Sequence, residues 1–428
     1  MDLVYKFNAG DDYPAPTGSK ICDMKDYRYT FWNSQLETLP QYMSTKSIDL
    51  LMLSLAVYGA DRYLLRKNSI DGWKRNIHIH LPVINLECMN VNKKLIKDIL
   101  NFLSGDNWEL SFRQREYTDE EKKYRDKIEN SKIEKINANR ICMFSGGLDS
   151  FIGATDLLQE DEKDIIFVSH YGGGKGVREY QDYLRKEFIK EYEINKNNFF
   201  SFFAAPPGGI EDTMRTRSFM FFSHAIALAS CFKGDVDLIV PENGFISINV
   251  PFTYSRTGTS STRTTHPYYM GLLQKLLHEL DLEIRIKNPY QFKTKGEMIT
   301  ECRNQGFLNR NIAQTMSCSH PDVGRMRGES ETQHCGTCLP CIIRRASIKK
   351  SKFDDSTQYY DPNFTSEGIT RTNLNSYLLG LQKYDEKNAY LTIQTSGPLM
   401  DNIERYESIY KRGIAELKSL LEEYNGNY

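Results

Sequence analysis

From Arg140 onward, short apolar runs alternate with longer segments of helical character. Ile141-Cys142-Met143-Phe144 has the length of a buried strand, and the turn Ser145-Gly146-Gly147 leads into a helix predicted over Asp149–Leu158. Ile165-Ile166-Phe167-Val168 predicts a second buried strand, ending in Tyr171-Gly172-Gly173-Gly174. Tyr180–Glu193 reads as helix and Asn198–Phe203 as strand. Glu211–Phe232 contains no Pro or Gly and begins with two acids, as a long helix should. Leu238-Ile239-Val240 predicts another strand, and Leu272–Leu280 another helix. Strands alternating with helices predict an α/β fold with a doubly wound parallel sheet. Such sheets bind ligands beyond the carboxyl ends of their strands.

The pattern is different on either side. Ser47–Arg66 and Val91–Leu103 are helical in character, whereas Asn76–Leu81 and Trp108–Arg113 read as strands. This mixture predicts an N-terminal α+β unit over residues 1–138. Asp119–Asn137 is dense in charge and reads as a solvated helix or linker at its end. The central unit covers residues 139–350. Beyond it, Ile403, Tyr406, Tyr410, Ile414, Leu417, Leu421 and Tyr424 recur at three- and four-residue steps. That stripe predicts an amphipathic helix packed on the main body, within a helical extension over 351–428. Ser255–Thr265, rich in Ser, Thr and Arg, reads as a loop.

The chain has 428 residues, enough for two or three domains. Hydrophobic residues make up 40% and charged residues 26%, which excludes disorder as the main state. The 55 Lys and Arg against 56 Asp and Glu provide no global attraction to nucleic acid or an anionic membrane. Leu50–Val57, the longest apolar run, is bracketed by Asp49 and Asp61-Arg62 and falls far short of the ~20 residues of a membrane span. Met1-Asp2-Leu3 lacks the basic start of a signal peptide, and nine cysteines is an odd count. Both observations predict a cytoplasmic protein with reduced thiols.

Two motifs carry chemistry. Ser145-Gly146-Gly147-Leu148-Asp149-Ser150 lies between a buried strand and a helix. Two glycines let backbone N–H groups crowd around an anion, and the helix adds the positive end of its dipole. Ser145 and Ser150 offer hydroxyls to phosphate oxygens, and Asp149 is placed to hold Mg²⁺ or orient a polar group. No Walker A sequence occurs, so a nucleotide would be handled otherwise than in a P-loop enzyme. The second motif is Cys335, Cys338 and Cys341 at C-x₂-C-x₂-C spacing, with Cys318 upstream. Four thiolates complete a tetrahedral structural Zn²⁺ site, and an iron–sulfur cluster is the alternative. His320 and His334 flank the set as substitute ligands. Cys22, Cys88, Cys142, Cys231 and Cys302 are isolated and read as packing residues. His78 and His80 alternate on one strand without an evident third ligand, and read as the polar face of that strand.

S-G-G-x-D-S after a strand resembles the pyrophosphate-binding loop of the PP-loop ATP pyrophosphatases. Combined with the cysteine pattern, residues 140–350 resemble the 7-cyano-7-deazaguanine synthases, the QueC family. Arg217-Ser218 before an apolar helix is similar to that family's Gly-Arg-Asn segment. Pro289–Glu297 is similar to its Pro-x₅-Lys-x-Glu, which would put Lys295 on the ATP phosphates with Glu297 beside it. The resemblance implies ATP, Mg²⁺ and Zn²⁺ as cofactors, with Asp149, Lys295 and Arg217 in catalysis. It also implies a carbon–nitrogen ligase that adenylates the carboxylate of 7-carboxy-7-deazaguanine for attack by ammonia. A second round of ATP use would dehydrate the amide to a nitrile.

There are departures from the family. His170-Tyr171-Gly172-Gly173 stands where the family has Asp-Tyr-Gly-Gln, and the base-reading Gly-Tyr-Pro-Asp-Cys is replaced by the Ser/Thr loop up to His266-Pro267-Tyr268. The gap from Cys318 to Cys335 is longer, and both flanking units are extra. That enlarged layout is similar to QueC-like proteins of bacterial anti-phage operons, the Qat systems. It implies other proteins of such an operon as partners, and a protein amine as an alternative acceptor. Glu242, Arg263, His266 and His170 are candidates for the base or acceptor pocket. Two other functions compete: direct modification of nucleic-acid bases, which wants a basic surface, and a nucleotide-sensing subunit that binds partners. No membrane partner is expected.

Overall fold

The computed structural model describes all residues except 9, 161–163, 173–174, 214, 252–262, 327, 329–331, 367 and 425–428. Its strands are β1 (Asp2–Lys6), β2 (Lys20–Asp23), β3 (Arg28–Tyr29), β4 (Asn76–Val83), β5 (Asn107–Gln114), β6 (Arg140–Met143), β7 (Ile165–Tyr171), β8 (Phe199–Ala205), β9 (Val236–Ile239) and β10 (Ile284–Lys287). The helices that concern the site are α1 (Thr45–Tyr63), α2 (Lys93–Ser104), α3 (Asp119–Asn130), α4 (Leu148–Gln159), α5 (Lys175–Tyr192), α6 (Arg217–Ala229), α7 (Pro267–Glu279), α8 (Lys295–Glu301), α9 (Leu339–Lys350) and α10 (Ile403–Leu421).

The larger sheet has the order β10-β9-β6-β7-β8-β3. Its strands pair in parallel except for β3, which runs antiparallel along the β8 edge. Side chains alternate across it with a period of two. Ile141, Met143, Ile166 and Val168 meet α6 and α7 on one face. Cys142, Phe144, Ile165 and Phe167 meet α4 and α5 on the other. Helices on both faces make the sheet doubly wound, as the run of apolar segments predicts. From β6 the chain proceeds to β7 and β8 on one side, then returns to place β9 and β10 on the other. The order therefore reverses between β6 and β9, the place where sheets of this class form a ligand crevice at their carboxyl ends.

The first 138 residues build a second sheet, β2-β1-β4-β5. All its pairs are parallel, so the α+β expectation is corrected to a parallel α/β arrangement. The sequence pattern missed β1 and β2, which are short and lie at the edge of the periodic region. Helix α1 is apolar on nearly every side because it is covered on nearly every side: Ser47–Asp61 is buried throughout. It packs against β4 and α6, so the apolar core of the first sheet is continuous with one face of the larger one.

Helix α6 begins at Arg217, six residues later than the two acids suggest. Those acids are engaged elsewhere. Glu211 accepts the Arg66 N–H at 3.0 Å, Asp212 lies 3.6 Å from Arg62, and the N–H groups of Ile210 and Glu211 both donate to the Arg62 carbonyl at 2.9 Å. The helix start is fixed by Asp61 of α1, whose Oδ2 accepts the Thr216 hydroxyl at 2.9 Å and the Thr213 hydroxyl at 3.2 Å. Asp61 also pairs with Arg75 at 2.5 Å, and Arg75 pairs with Asp106 at 2.7 Å. Asp106 takes both Nη groups of Arg66 at 2.9 Å. All four charged side chains are almost fully buried.

The C-terminal stripe forms α10, which buries Tyr406, Tyr410, Ile414, Leu417 and Leu421 against α9 and its neighbours. Gly173, Gly174 and most of Ser255–Thr265 lie outside the described residues. No described helix is long and apolar enough to cross a membrane.

Removing one partner of a buried charge cluster leaves the others uncompensated, at a cost of about 3–5 kcal/mol. Asp61→Ala should therefore lower the unfolding free energy by about that amount in urea titrations. A loss below ~1 kcal/mol, the usual value of an exposed pair, would show that the cluster does not hold the two sheets together.

Candidate functional site at the sheet crevice

The turn after β6 is shaped by its neighbours. Gly146 has φ +85°, and a Cβ there would lie 2.9 Å from Gln181 Cγ. The Gly146 carbonyl accepts the Met316 N–H at 2.8 Å. Gln181, on α5, donates to the Ser145 carbonyl at 2.9 Å and the His170 carbonyl at 3.2 Å, clamping the ends of β6 and β7 together. Gly147 caps α4. The Ser145 and Ser150 hydroxyls lie 3.1 Å apart, and Ser150 also donates to the Gly147 carbonyl at 3.0 Å. The first-turn N–H groups of Leu148, Asp149 and Ser150 have no partner inside the helix. Among the described residues only Leu148 finds one outside it, a long 3.3 Å contact to the Ser317 hydroxyl. This is a helix amino end poised for an anion.

Asp149 is buried beside that end and collects contacts from three elements. Lys295 Nζ, at the first position of α8, lies 2.8 Å from Oδ1, and both side chains are over nine-tenths buried. Asn243, just beyond β9, donates to Oδ2 from its backbone N–H at 3.1 Å and its side-chain amide at 2.6 Å. Burial pushes the Asp149 carboxyl up, but the Lys295 charge and hydrogen bonds from Glu242, Lys295 and Asn243 outweigh it, so the group lies below its usual range. Glu242 behaves oppositely: burial and the Asp149 charge hold its carboxyl well above the usual range. Two carboxyls shifted in opposite directions and one buried lysine thus meet between β6 and β9. Asn243 was missed from sequence, although Pro241-Glu242-Asn243-Gly244 directly after an apolar strand is a punctuation signal.

Lys295 is seated from below. Thr294 caps α8, and its hydroxyl donates to Glu416 of α10, which also accepts the Ser347 hydroxyl at 2.7 Å. Gly296 leaves room for this approach, since a Cβ there would lie 2.5 Å from the Glu416 carboxylate. Glu297 is occupied by the reciprocal cap with Thr294 and by Arg412 at 2.6 Å.

Arg217 opens α6 half-buried, and burial pushes its guanidinium below the usual arginine range. No described residue gives it a hydrogen bond or ion pair, and none joins it to Asp149 or Lys295. His170, next to last in β7, has a buried Nε2 with no described partner. His266 instead caps α7 through Nδ1, which accepts the Tyr268 N–H at 3.2 Å, and burial lowers its pKa to about 3. Arg263 donates to the Phe102 carbonyl at 2.8 Å and lies over that ring. Both therefore have structural work beside α2.

The four cysteines Cys318, Cys335, Cys338 and Cys341 converge, with every sulfur within 4.8 Å of the others. Cys318–Cys338 measures 3.8 Å and Cys335–Cys341 3.9 Å. A zinc tetrahedron with ~2.3 Å arms has edges of about 3.8 Å, so this buried group could hold a metal such as zinc. Backbone N–H groups of His320, Cys335 and Cys338 donate to the sulfurs at 3.2–3.3 Å, which favours thiolate. His320 and His334 are not part of the group: His320 is exposed, and His334 Nε2 accepts the Ser317 N–H at 3.2 Å. Among the isolated cysteines, Cys142 and Cys231 are deeply buried and burial raises both thiols, as packing residues require.

Comparison with protein-family models, curated proteins and solved structures finds no match to this chain.

Two outcomes are expected. A thiol-specific reagent should release zinc from the native protein, and Cys335→Ser should abolish that release; recovery of iron or no metal would overturn the zinc reading. Gly296→Ala should push Glu416 aside and destabilise the fold by about 1–3 kcal/mol, measured by denaturant titration.

Proposed function

We propose that this chain is an ATP-dependent, AMP- and pyrophosphate-forming carbon–nitrogen ligase of the QueC type. It adenylates a 7-carboxy-7-deazaguanine-type carboxylate and passes the acyl group to an amine, either ammonia or a protein amine, within an anti-phage defence system. The observation that carries this reading is the buried Asp149–Lys295 pair beside the open first turn of α4, at the point where strand order reverses. A nucleotide-splitting site needs fixed positive groups where pyrophosphate develops charge, and these residues supply an ammonium and backbone donors.

A carboxylate resists amines because its charge and resonance suppress attack. In the proposed reaction its oxygen bonds to the α-phosphorus of ATP and the bond to the β-phosphate oxygen breaks, releasing pyrophosphate. The amine then adds to the acyl carbon, AMP leaves with the former carboxylate oxygen, and the amine loses a proton. The N–H groups of Leu148–Ser150, the Ser145 and Ser150 hydroxyls and Lys295 bind and orient the departing diphosphate. Asp149 holds Lys295 in place. Asp149 is the hard oxygen donor that would hold Mg²⁺, which when bound supplies charge neutralisation to the phosphates. Arg217, a guanidinium without a described counter-ion, is suited to a carboxylate or phosphate of the substrate. The cysteine group, with all four positions filled by thiolates, serves structure.

Ser150→Ala should reduce ATP-dependent pyrophosphate release by about 100-fold or more while preserving the melting temperature within a few degrees, and Asp149→Asn should reduce release as much but also lower the unfolding free energy by about 3–5 kcal/mol, because Lys295 is left uncompensated. Full activity in both variants would remove the turn from the reaction. Mass spectrometry after incubation with ATP, 7-carboxy-7-deazaguanine, ammonia and candidate protein partners separates the acceptors: a nitrile or amide marks ammonia, and a mass adduct marks a protein amine.

A further inference from the structure

The pairing of β1 with β4 brings Asp2 opposite His78 and Val4 opposite His80. The third ligand that the sequence did not reveal beside the two histidines is therefore supplied by the neighbouring strand. Asp2 Oδ1 lies 2.9 Å from His78 Nδ1 and 2.9 Å from His80 Nε2. All three atoms fall within 4.8 Å of one another. We propose that Asp2, His78 and His80 form a second metal site, binding Zn²⁺ through two imidazoles and one carboxylate, with its fourth position open to solvent.

Zinc arms of ~2.0–2.1 Å give tetrahedral edges of about 3.3 Å, so the two edges from Asp2 to the imidazoles need to lengthen by only a few tenths of an ångström. Access is one-sided. His80 is buried, whereas the Asp2 and His78 side chains are 34% and 33% exposed, which leaves an entry path. The surroundings also fit. His78 turns its other nitrogen, Nε2, to the Ser111 hydroxyl at 2.8 Å, and His80 turns Nδ1 to the Tyr13 hydroxyl at 3.0 Å. Ligating histidines need such a partner on the distal nitrogen. Hydroxyls can donate or accept. Without metal, each ring keeps its proton toward Asp2 and accepts from its hydroxyl. With metal, each ring moves that proton to the distal nitrogen and donates to the same hydroxyl. No group is left unpaired in either state, and no net proton is released. Two imidazoles with a single carboxylate suit zinc better than the hard cations Mg²⁺ or Ca²⁺, which want oxygen shells.

The test uses the full chain, stripped with chelator, reloaded with Zn²⁺ and freed of excess by gel filtration. Elemental analysis should find one more zinc per chain in the unmodified protein than in His78→Ala or Asp2→Asn, with zinc released by thiol reagent unchanged between them. Zinc affinity at this site should fall about 100-fold in those variants and about 10-fold in Ser111→Ala. His78 is partly exposed, and thermal denaturation checks that its variant is folded. Nitrogen-15 NMR of the histidine side chains provides a second readout in the unmodified protein, where Zn²⁺ should switch the protonated nitrogen in two rings. Equal zinc content in the unmodified protein and folded His78→Ala, or two rings that do not respond to Zn²⁺, would overturn the proposal.

Discussion

The candidate site depends on one buried carboxylate. Asp149 sits at the amino end of α4, where two glycines and Gln181 set the turn, and it is met by Asn243 from the end of β9 and Lys295 from the start of α8. Each contact comes from a different part of the chain, so the crevice between β6 and β9 is tied across the switch in strand order. An unpaired charge at such depth would cost several kcal/mol, and the geometry therefore requires both partners. The same contact gives the buried Lys295 side chain its described carboxylate partner.

A second buried charge cluster has a comparable role at longer range. Asp61, Arg75, Asp106 and Arg66 belong to the first unit, yet Asp61 also receives Thr213 and Thr216 just before α6. The position of Arg217 is thereby set by the N-terminal segment. The short antiparallel β3 adds a backbone link of the same kind, since it runs from the first unit onto the edge of the larger sheet.

Much of the fold can be read from local pattern. The buried strands β6, β7 and β9 announce themselves as apolar runs, and α1 and α10 by length and stripe, because burial on one or both faces leaves a periodic trace. Pattern fails where a tertiary contact overrides it. Glu211 and Asp212 look like the start of a helix, but Arg66 and Arg62 claim them. The turn residues Ser145–Ser150 and the four cysteines were legible because their spacing is itself the signal. Asn243, Gln181, Glu416 and Asp2 were not, since each acts on a group far away in sequence. His266 and Arg263 lie against Phe102, a contact between distant segments that no local pattern announces. The identity of the substrate leaves no trace of this kind in the described residues.

Glu416 carries a practical implication. The motifs end near residue 350, which invites expression of a shortened protein stopping there. Such a fragment would lose the carboxylate that receives Thr294 and Ser347, together with Arg412, which grips Glu297. Its lysine would hang from a loosened helix start, and a silent fragment would then report on the missing helix rather than on the turn after β6.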